Sequence, residues 1–489
     1  MKLNQNLSTL IILIIGLLIF LFIGTKAYVS SFTTDESFSY LNYVEETFMQ
    51  IITFSNWYTN NHILNSLSMK YAEIVLGSSE LALRLPNLIL LLVYMVYSYY
   101  IFRGKNAILR ISLFLLLCTN VLLIDLFGLA RGYGLSCGFM LMSLYHFIKY
   151  NNESKRIDLH LFHLAALLAI LSSFTLLTFY ASTLLVFNII SFINQRIVKD
   201  ESFHFFRTNK VHLIPFIVLT IILYEPVRRV ITHSNLNFGG KVGFFSDTVA
   251  HLIWNATHHT YLSPFLLILL QIVFTLLILI PFGIIVKNGI NKNRDFFENQ
   301  KGLLILNFTI IIISIIIVSQ HFVLKADYPI GRFSIFLFPL FIIHFGFFVN
   351  YLLGTKIKQV ALSIVSILAV MSSLSFVKRA NLYSAAEWGF DSRTKEMIEV
   401  LSRLHDLEED PSKSIQLGIH ELFEPTVNFY RVTKDLNWLL PVDRNGIEIS
   451  DDYFYIFEVD YYKVKDIKHE IVKQFEDTQT LLIKRTKSN

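Results

Sequence analysis

The sequence is poor in charged residues and has almost no cysteine. Only 16% of its 489 residues are Asp, Glu, Lys or Arg, whereas an ordinary soluble domain carries about 25%. Hydrophobic residues make up 54%, and this composition excludes an ordinary water-soluble enzyme. The two cysteines, Cys118 and Cys137, lie in or beside apolar segments, which indicates small buried side chains rather than a disulfide or a metal site.

The sequence contains long apolar stretches. A helix of roughly 20 apolar residues crosses about 30 Å of hydrocarbon, and such stretches recur along the first 380 residues. The predicted fold class is therefore a polytopic α-helical membrane protein with about eleven transmembrane helices. The predicted spans are 7–25, 86–102, 109–127, 132–149, 160–175, 177–195, 211–231, 261–286, 302–322, 332–352 and 359–377.

The distribution of Lys and Arg predicts the orientation, because positive residues in short loops stay on the cytoplasmic side. With the N-terminus inside, seventeen Lys and Arg residues lie in cytoplasmic segments, against nine on the opposite side up to residue 377. This asymmetry predicts a cytoplasmic N-terminus and an extracytoplasmic C-terminus. The first span could instead be a cleaved signal peptide, since Lys2 precedes its apolar core and small residues follow in GTKAYVSS.

Three polar segments, 28–85, 232–260 and 378–489, all face the outer side in this topology. The first contains HILNSLSMKYAEIVLG, in which six apolar residues at helical spacing precede Gly77, so it predicts a helix lying on the membrane. The last segment has a charged helical pattern, SRTKEMIEVLSRLHDLEED, followed by the strand-like runs SIQLGI, YFYIFEV and TLLIKR. The predicted organisation is a membrane domain over 1–377 and a small soluble α/β domain over 378–489.

A pair of carboxylates directly follows the first span, in SFTTDESFSYLNYVEETFMQ. Thr33 and Glu36 have the spacing of a capping box, which satisfies two backbone amides at a helix start. Capping explains Glu36, and a glutamine there is predicted to serve equally well. It does not explain Asp35, which would lie in the first helical turn, where the helix dipole also favours a carboxylate.

The order of short motifs around this pair resembles the GT-C class of membrane glycosyltransferases, in the branch of the protein O-mannosyltransferases and the lipid A aminoarabinose transferase. In that branch an acidic motif opens the first outer loop, a His or Lys before Pro-Pro-Leu starts an interfacial helix, and Gly followed by Arg-Leu-Pro enters the next span. ARGYGLS at 130–136 and YPIGRFSIFLFPLF at 328–341 are similar to later family segments. The resemblance covers about residues 1–350 and departs from the family where Ile63 and Leu64 replace the two prolines. The matching positions of the first outer loop are Asp35, Glu36, His62, Gly77, Arg84, Leu85 and Pro86.

The resemblance implies transfer of a sugar from a polyprenyl-phosphate carrier to a protein, lipid or glycan acceptor, with inversion, on the outer face of a bacterial inner or plasma membrane. Such a reaction needs a base for the acceptor proton and cations for the leaving phosphate. Asp35 is the predicted base, Glu36 is predicted to cap and orient, and Asp125 is the candidate for a second acid. The candidate phosphate-binding residues are Arg131 and Arg332, followed by His62, Arg228, Arg229 and Lys325.

No cofactor is indicated by the sequence. His251, His258 and His259 lie close together, but adjacent histidines seldom converge on one ion and no carboxylate spacing completes a zinc motif, so a divalent metal ion stays open without being indicated. The same segment, 232–260, includes Gly239, Gly240 and Gly243 and is predicted to form a mobile loop that orders over the active site when the donor binds.

Functions of other classes compete with the transferase. A lipid-linked sugar transporter or flippase would carry ionisable groups at the bilayer midplane and broken helices in matched halves, whereas the charges here gather at the outer rim. An oligosaccharide polymerase would need more phosphate contacts, and a non-catalytic scaffold for envelope assembly is also open. Lipid is the expected environment in every case, and no nucleic-acid partner is predicted.

Overall fold

The computed structural model describes residues 5–56, 58–198, 205–233, 239–257, 262–408, 410 and 412–486. Within these residues the chain forms nineteen α-helices and four β-strands. The helices are α1 (Gln5–Val29), α2 (Thr34–Tyr43), α3 (Phe48–Ile52), α4 (Ile63–Leu76), α5 (Glu80–Ile101), α6 (Ala107–Cys118), α7 (Val121–Asp125), α8 (Gly132–Glu153), α9 (Arg156–Ser172), α10 (Leu176–Ile193), α11 (Phe205–His233), α12 (Ala250–Ala256), α13 (Pro264–Ile290), α14 (Arg294–Asn299), α15 (Lys301–Leu324), α16 (Leu337–Leu352), α17 (Lys358–Arg379), α18 (Thr394–Asp406) and α19 (Glu424–Thr433). The strands are β1 (Leu417–Ile419), β2 (Tyr453–Phe457), β3 (His469–Phe475) and β4 (Thr480–Arg485).

The predicted spans coincide with helices, except that 109–127 is divided between α6 and α7, which meet at 66°. In the described part of the chain, seven helices are long and apolar enough to cross a membrane, or eight if the bent pair forms one span. Of the remaining predicted spans, α8 is less apolar, while α9 and α16 are shorter. The polytopic helical class is thus confirmed, and the number of eleven spans is not.

The surface of the helical bundle is apolar, as a lipid-facing surface must be. In α13, only 6% of the most apolar window is buried inside the protein, although this helix is rich in Leu, Ile and Phe. Helix α8, by contrast, is mostly buried and packs against α5 and α9 at the centre of the bundle. The chain is an integral membrane protein whose outward-facing side chains contact lipid instead of water.

The two helices that carry the first outer loop begin and end where the sequence predicts. Thr33 accepts a hydrogen bond from the Glu36 amide and Glu36 accepts one from the Thr33 amide, so the predicted capping box starts α2. Gly77 ends α4 with φ +83°, a conformation that favours glycine. The polar residues Asn65 and Ser66 of α4 are buried against protein, while Ile74 and Val75 are 70% and 77% exposed, as expected for a helix on a lipid surface.

The C-terminal residues form a four-stranded sheet in the order β1-β2-β4-β3. β1 pairs in parallel with β2, whereas β2 and β3 both pair antiparallel with β4. The three predicted strand-like runs correspond to β1, β2 and β4, and the charged helical pattern corresponds to α18. A small C-terminal α/β domain is therefore present, while its boundary at residue 377 stays a prediction.

The outer segments meet on one face of the bundle. Tyr430 of α19 accepts a hydrogen bond from the Phe32 amide at 2.8 Å, and Gly240 forms a two-residue bridge with Tyr328. Residues 239–257 belong to the segment predicted to be mobile and contain a short π-helical turn and α12. The movement of this segment on donor binding stays a prediction. A shared face agrees with one compartment for these segments, and the orientation in the membrane stays a prediction.

A buried carboxylate joins α2 to the C-terminal domain. Asp391 is 1% exposed and accepts hydrogen bonds from the hydroxyl groups of Thr34 (2.7 Å), Thr394 and Thr426. Burial raises the pKa of Asp391 to about 6, although the three hydroxyl donors oppose the shift. Because Thr34 belongs to α2 and Thr426 to α19, this carboxylate links the helix that carries Asp35 to the C-terminal domain.

We expect Asp391 to make stability fall as pH rises from about 4 to 6. In this window the folded protein retains a proton that the unfolded chain releases, so raising the pH favours unfolding by up to about 3 kcal/mol. Asp391→Asn cannot ionise, so its melting temperature relative to the wild type should increase from pH 4 to pH 7. Asp466→Asn, which changes an exposed carboxylate of the same domain, is the control. A pH-independent difference for Asp391→Asn would contradict the assignment.

Candidate active site

An ion pair with no solvent exposure fixes the start of α2. Arg84 donates from Nε to Oε1 of Glu36 at 2.8 Å and from Nη2 to Oε2 at 2.7 Å, and both side chains are 0% exposed. The amide of Ala130 donates to Glu36 Oε1 at 2.6 Å. Glu36 therefore has no room for a substrate and acts as a structural anchor that caps α2 and ties it to α5. Arg84 also donates to the carbonyl oxygens that end α1 and enter α2, those of Ala27, Ser30 and Ser31.

Asp35 lies beside this anchor but faces a different environment. Its side chain is 22% exposed, and Oδ2 lies 3.2 Å from Nη2 of Arg332 and 3.5 Å from Nη2 of Arg131. The capping box fixes the first turn of α2 and thereby the direction of the Asp35 side chain. The structure thus brings together the predicted base and the two arginines predicted to bind phosphate.

Several hydrogen bonds hold Arg131 in place beside Asp35. It is 1% exposed, precedes α8, and donates from Nη1 to Ser39 Oγ at 2.8 Å and to the Asp35 carbonyl oxygen at 3.2 Å. Nη2 donates to the side chain of Asn60 and approaches His62 Nε2 at 3.3 Å. With this many partners, Arg131 supplies a fixed positive charge rather than a side chain that moves.

His62 is neutral and oriented by the chain around it. Nδ1 lies 2.8 Å from the carbonyl oxygen of Ser172, so Nδ1 carries the proton and Nε2 accepts from Arg131. Burial and the nearby Arg131 guanidinium hold the pKa of His62 well below its usual range. A side chain at Gly132 would place its Cβ 1.9 Å from the Ser172 oxygen and 2.7 Å from the imidazole, so this close packing requires the glycine. A neutral His62 offers a phosphate no charge and serves Arg131 instead.

Arg332 is the more accessible of the two arginines, with a side chain 26% exposed. Its guanidinium lies 4.9 Å from the ring centroid of Trp388, and Nη1 donates to Glu387 Oε2 at 2.6 Å. The backbone amide of Arg332 also donates to Glu387, at 3.0 Å. Asp35, Arg131, Arg332 and Glu387 therefore form a continuous ionic cluster that opens to solvent at Asp35 and Arg332.

Other predicted site residues have different partners. Asp125 is 4% exposed and pairs with Lys26 at 2.7 Å, so it supports the α1–α7 contact and does not present a free carboxylate. Arg228 and Arg229 both pair with Glu225 on their own helix, α11. The exposed Lys325 has φ +57° and follows α15.

In the described part of the chain, no three His, Cys, Asp or Glu side chains are grouped to hold a metal ion. His251 packs its ring against Trp254, with centroids 4.9 Å apart. His258 and His259 lie outside the described residues.

Two residues of the site were not selected from the sequence as functional. Arg84 carries a usable signal, since an arginine directly before an apolar span needs a buried partner or a lipid headgroup. Glu387 carries none, because it lies 55 residues after Arg332 in a polar segment. Only the fold brings these two side chains together.

The fold and this site define a polytopic membrane protein with a carboxylate held between arginines on one face. No family model matches the chain, and no curated protein matches it. Among solved structures, the chain is similar to ArnT from Cupriavidus metallidurans in the apo state, with 12% identity over 96% of this chain and 97% of that chain and a TM-score of 0.45. It is also similar to the same protein bound to undecaprenyl phosphate, with 12% identity, 97% of each chain covered and a TM-score of 0.42. Likeness at this level does not by itself assign a family or an activity.

Proposed function

We propose that this chain is an inverting glycosyltransferase of the GT-C class that moves a sugar from a polyprenyl-phosphate carrier to an acceptor on the outer face of the membrane. The observation that carries the proposal is the partly exposed carboxylate of Asp35 within 3.5 Å of two guanidinium groups. A base beside cations is the combination that deprotonation of an acceptor and departure of a phosphate together require. The motif resemblance points to the same chemistry.

In the proposed reaction, the acceptor hydroxyl gives its proton to a carboxylate oxygen of Asp35 while its oxygen forms a bond to the anomeric carbon. The bond between that carbon and the phosphate oxygen breaks, and its electron pair leaves with the polyprenyl phosphate. Arg332, with Arg131 behind it, neutralises the charge that develops on the leaving group. Because the acceptor attacks from the side opposite the phosphate, the anomeric configuration inverts.

The position of the ion pair beside the bent helix pair supports an enzyme over a transporter. Among the described residues, α6 and α7 form the single bent helix pair found, and the ion pair near it joins Asp125 to Lys26. Lys26 lies in the last turn of α1, on the side that carries Asp35. A transporter places such groups at the bilayer midplane, so this pair has the position expected of an outer-face scaffold.

Mass spectrometry of envelope lipids, glycans and proteins from cells with and without the chain tests the proposal directly. The expected result is a discrete mass difference equal to one sugar on one acceptor class. Purified protein in lipid nanodiscs should then transfer that sugar from its polyprenyl phosphate. If the sugar-linked lipid moves between leaflets without any product forming, the transporter is correct and the transferase is wrong.

We expect Arg332→Ala to reduce kcat/KM roughly 10- to 100-fold, because a charge-assisted hydrogen bond contributes about 1.5–3 kcal/mol. Arg332 is a cleaner target than Arg131, whose removal would leave Ser39 and Asn60 without their buried donor. Arg228→Ala is the matched control, since that arginine is also predicted to lie on the outer side but pairs with Glu225. Steady-state kinetics with varied donor measures the effect, and equal kinetics for both variants would remove Arg332 from the site.

A further inference from the structure

The segment after the last predicted span lies across the candidate active site. This strap, residues 385–391, joins α17 to the C-terminal domain. The amide of Ala386 donates to Asp125 at 3.2 Å, Trp388 stacks on the guanidinium of Arg332, and Asp391 accepts from Thr34 of α2. Glu387 is the strap residue that reaches the ionic cluster, through both the side chain and the backbone amide of Arg332.

Arg332 holds Glu387 more closely than Asp35. Its Nη1 donates to Glu387 at 2.6 Å, whereas Nη2 lies 3.2 Å from Asp35. Nε of Arg332 is buried and has no hydrogen-bond partner in the described part of the chain. Gly331, at φ +52°, leaves room for this contact, since a Cβ there would lie 2.8 Å from Glu387 Oε1. The local backbone is therefore built to accept the Glu387 carboxylate.

The charges of the cluster balance only while the site is empty of anions. Arg131 and Arg332 contribute two positive charges, Asp35 and Glu387 contribute two negative charges, and His62 is neutral. A polyprenyl-phosphate sugar is a phosphodiester and brings one further negative charge. Because a net charge in a partly buried site is unfavourable, the phosphate is accommodated best if one carboxylate leaves, and Asp35 is fixed by α2.

We propose that Glu387 competes with the donor phosphate for Arg332. The Glu387 carboxylate occupies the Arg332 guanidinium until the phosphate displaces it. This inference rests on the proposed function. Exchange of one carboxylate for one phosphodiester keeps the cluster neutral and gives the phosphate the Nη1 donor that Glu387 held. Glu387 thus lowers the affinity for the carrier, which favours release of the polyprenyl phosphate after transfer, and each exchange displaces the strap from Arg332.

Binding of undecaprenyl phosphate to purified protein in nanodiscs tests the competition. Glu387→Gln removes the charge and keeps the side-chain shape, so its Kd should be roughly 2- to 5-fold lower than that of the wild type, as expected for loss of a partly exposed ion pair. Glu476→Gln, which changes an exposed carboxylate between β3 and β4, should leave Kd unchanged. A residue that only positions Arg332 would have the opposite effect, so an equal or higher Kd for Glu387→Gln overturns the proposal.

A second variant covers the case in which Glu387→Gln does not fold. Glu387→Asp keeps the charge but is one methylene shorter, so it should also lower Kd, by less than Glu387→Gln does, and an unchanged or raised Kd would overturn the competition. If wild-type protein does not bind undecaprenyl phosphate at all, the proposed function fails together with this inference. Binding by the wild type without tightening in either variant overturns the role of Glu387 alone.

Discussion

Replacing Asp35 with Asn should reduce the rate of sugar transfer roughly 10²- to 10⁴-fold, because asparagine keeps the shape of the side chain but cannot accept the acceptor's proton. Folding should be little affected, since loss of a first-turn charge costs about 0.3–1 kcal/mol and Thr33 and Glu36 still cap α2. Binding of polyprenyl phosphate should persist, because both arginines remain and one negative charge is gone. Single-turnover transfer in nanodiscs measures the chemical step separately from binding.

Glu45→Gln provides the matched control for Asp35→Asn. Glu45 lies in the same outer loop, directly after α2, and its side chain is exposed, so its loss should leave the rate close to that of the wild type. If Asp35→Asn transfers sugar as fast as the wild type, Asp35 is only a helix-start residue. An inactive Glu45→Gln beside an active Asp35→Asn would move the base to Glu45.

Glu36→Gln should destabilise the protein by about 3–5 kcal/mol, because it leaves the buried guanidinium of Arg84 without a counter-charge. The sequence alone predicts that Glu36→Gln keeps the fold and most of the activity, since glutamine completes a capping box as well as glutamate does. The difference comes from Arg84, whose contact with Glu36 spans 48 residues of sequence. Thermal unfolding in nanodiscs should show a lowered melting temperature, with any loss of activity following the loss of folded protein.

Two further variants distinguish the effect of breaking the buried ion pair from the effect of removing a charge elsewhere. Glu225→Gln also removes a carboxylate that pairs with arginine, but on the exposed side of α11, and the melting temperature should change little. Replacing Arg84 with Met in the Glu36→Gln variant removes the uncompensated charge and should recover part of the lost stability. The recovery should be incomplete, because the carbonyl oxygens of Ala27, Ser30 and Ser31 lose their donor. A melting temperature for Glu36→Gln equal to that of the wild type would show that Arg84 finds another partner.

Local chemistry made much of the site predictable. The capping box of α2 and the Gly77 end of α4 follow from side-chain hydrogen bonding and glycine's backbone freedom, both of which act over a few residues. Arg131 and Arg332 were selectable because each precedes an apolar segment on the predicted outer side. Their meeting at Asp35 is a property of the fold, and their role in binding phosphate stays a prediction.

What the sequence did not predict depends on distant partners or on mixed patterns. Glu387 acquires its role from Arg332, and Asp125 is paired by Lys26, ninety-nine residues away. β3 was not predicted as a strand because HEIVKQF mixes charged and apolar residues, as a solvent-exposed edge strand does. The count of eleven spans stays unconfirmed for a related reason, since α8 lies in the buried centre of the bundle and carries polar residues that a lipid-facing helix would exclude.

The packing of α4 connects an apolar outward surface of the protein to the surroundings of Arg131. This helix turns its polar residues to the protein, where Asn65 donates to the Ala130 carbonyl at 2.8 Å, and its apolar residues outward. His62 directly precedes α4 and lies 3.3 Å from Arg131, so the helix with the apolar outward surface is also the one that positions this pair. We therefore expect a change in the lipid or detergent around α4 to alter the geometry of the candidate site on the other side of this helix.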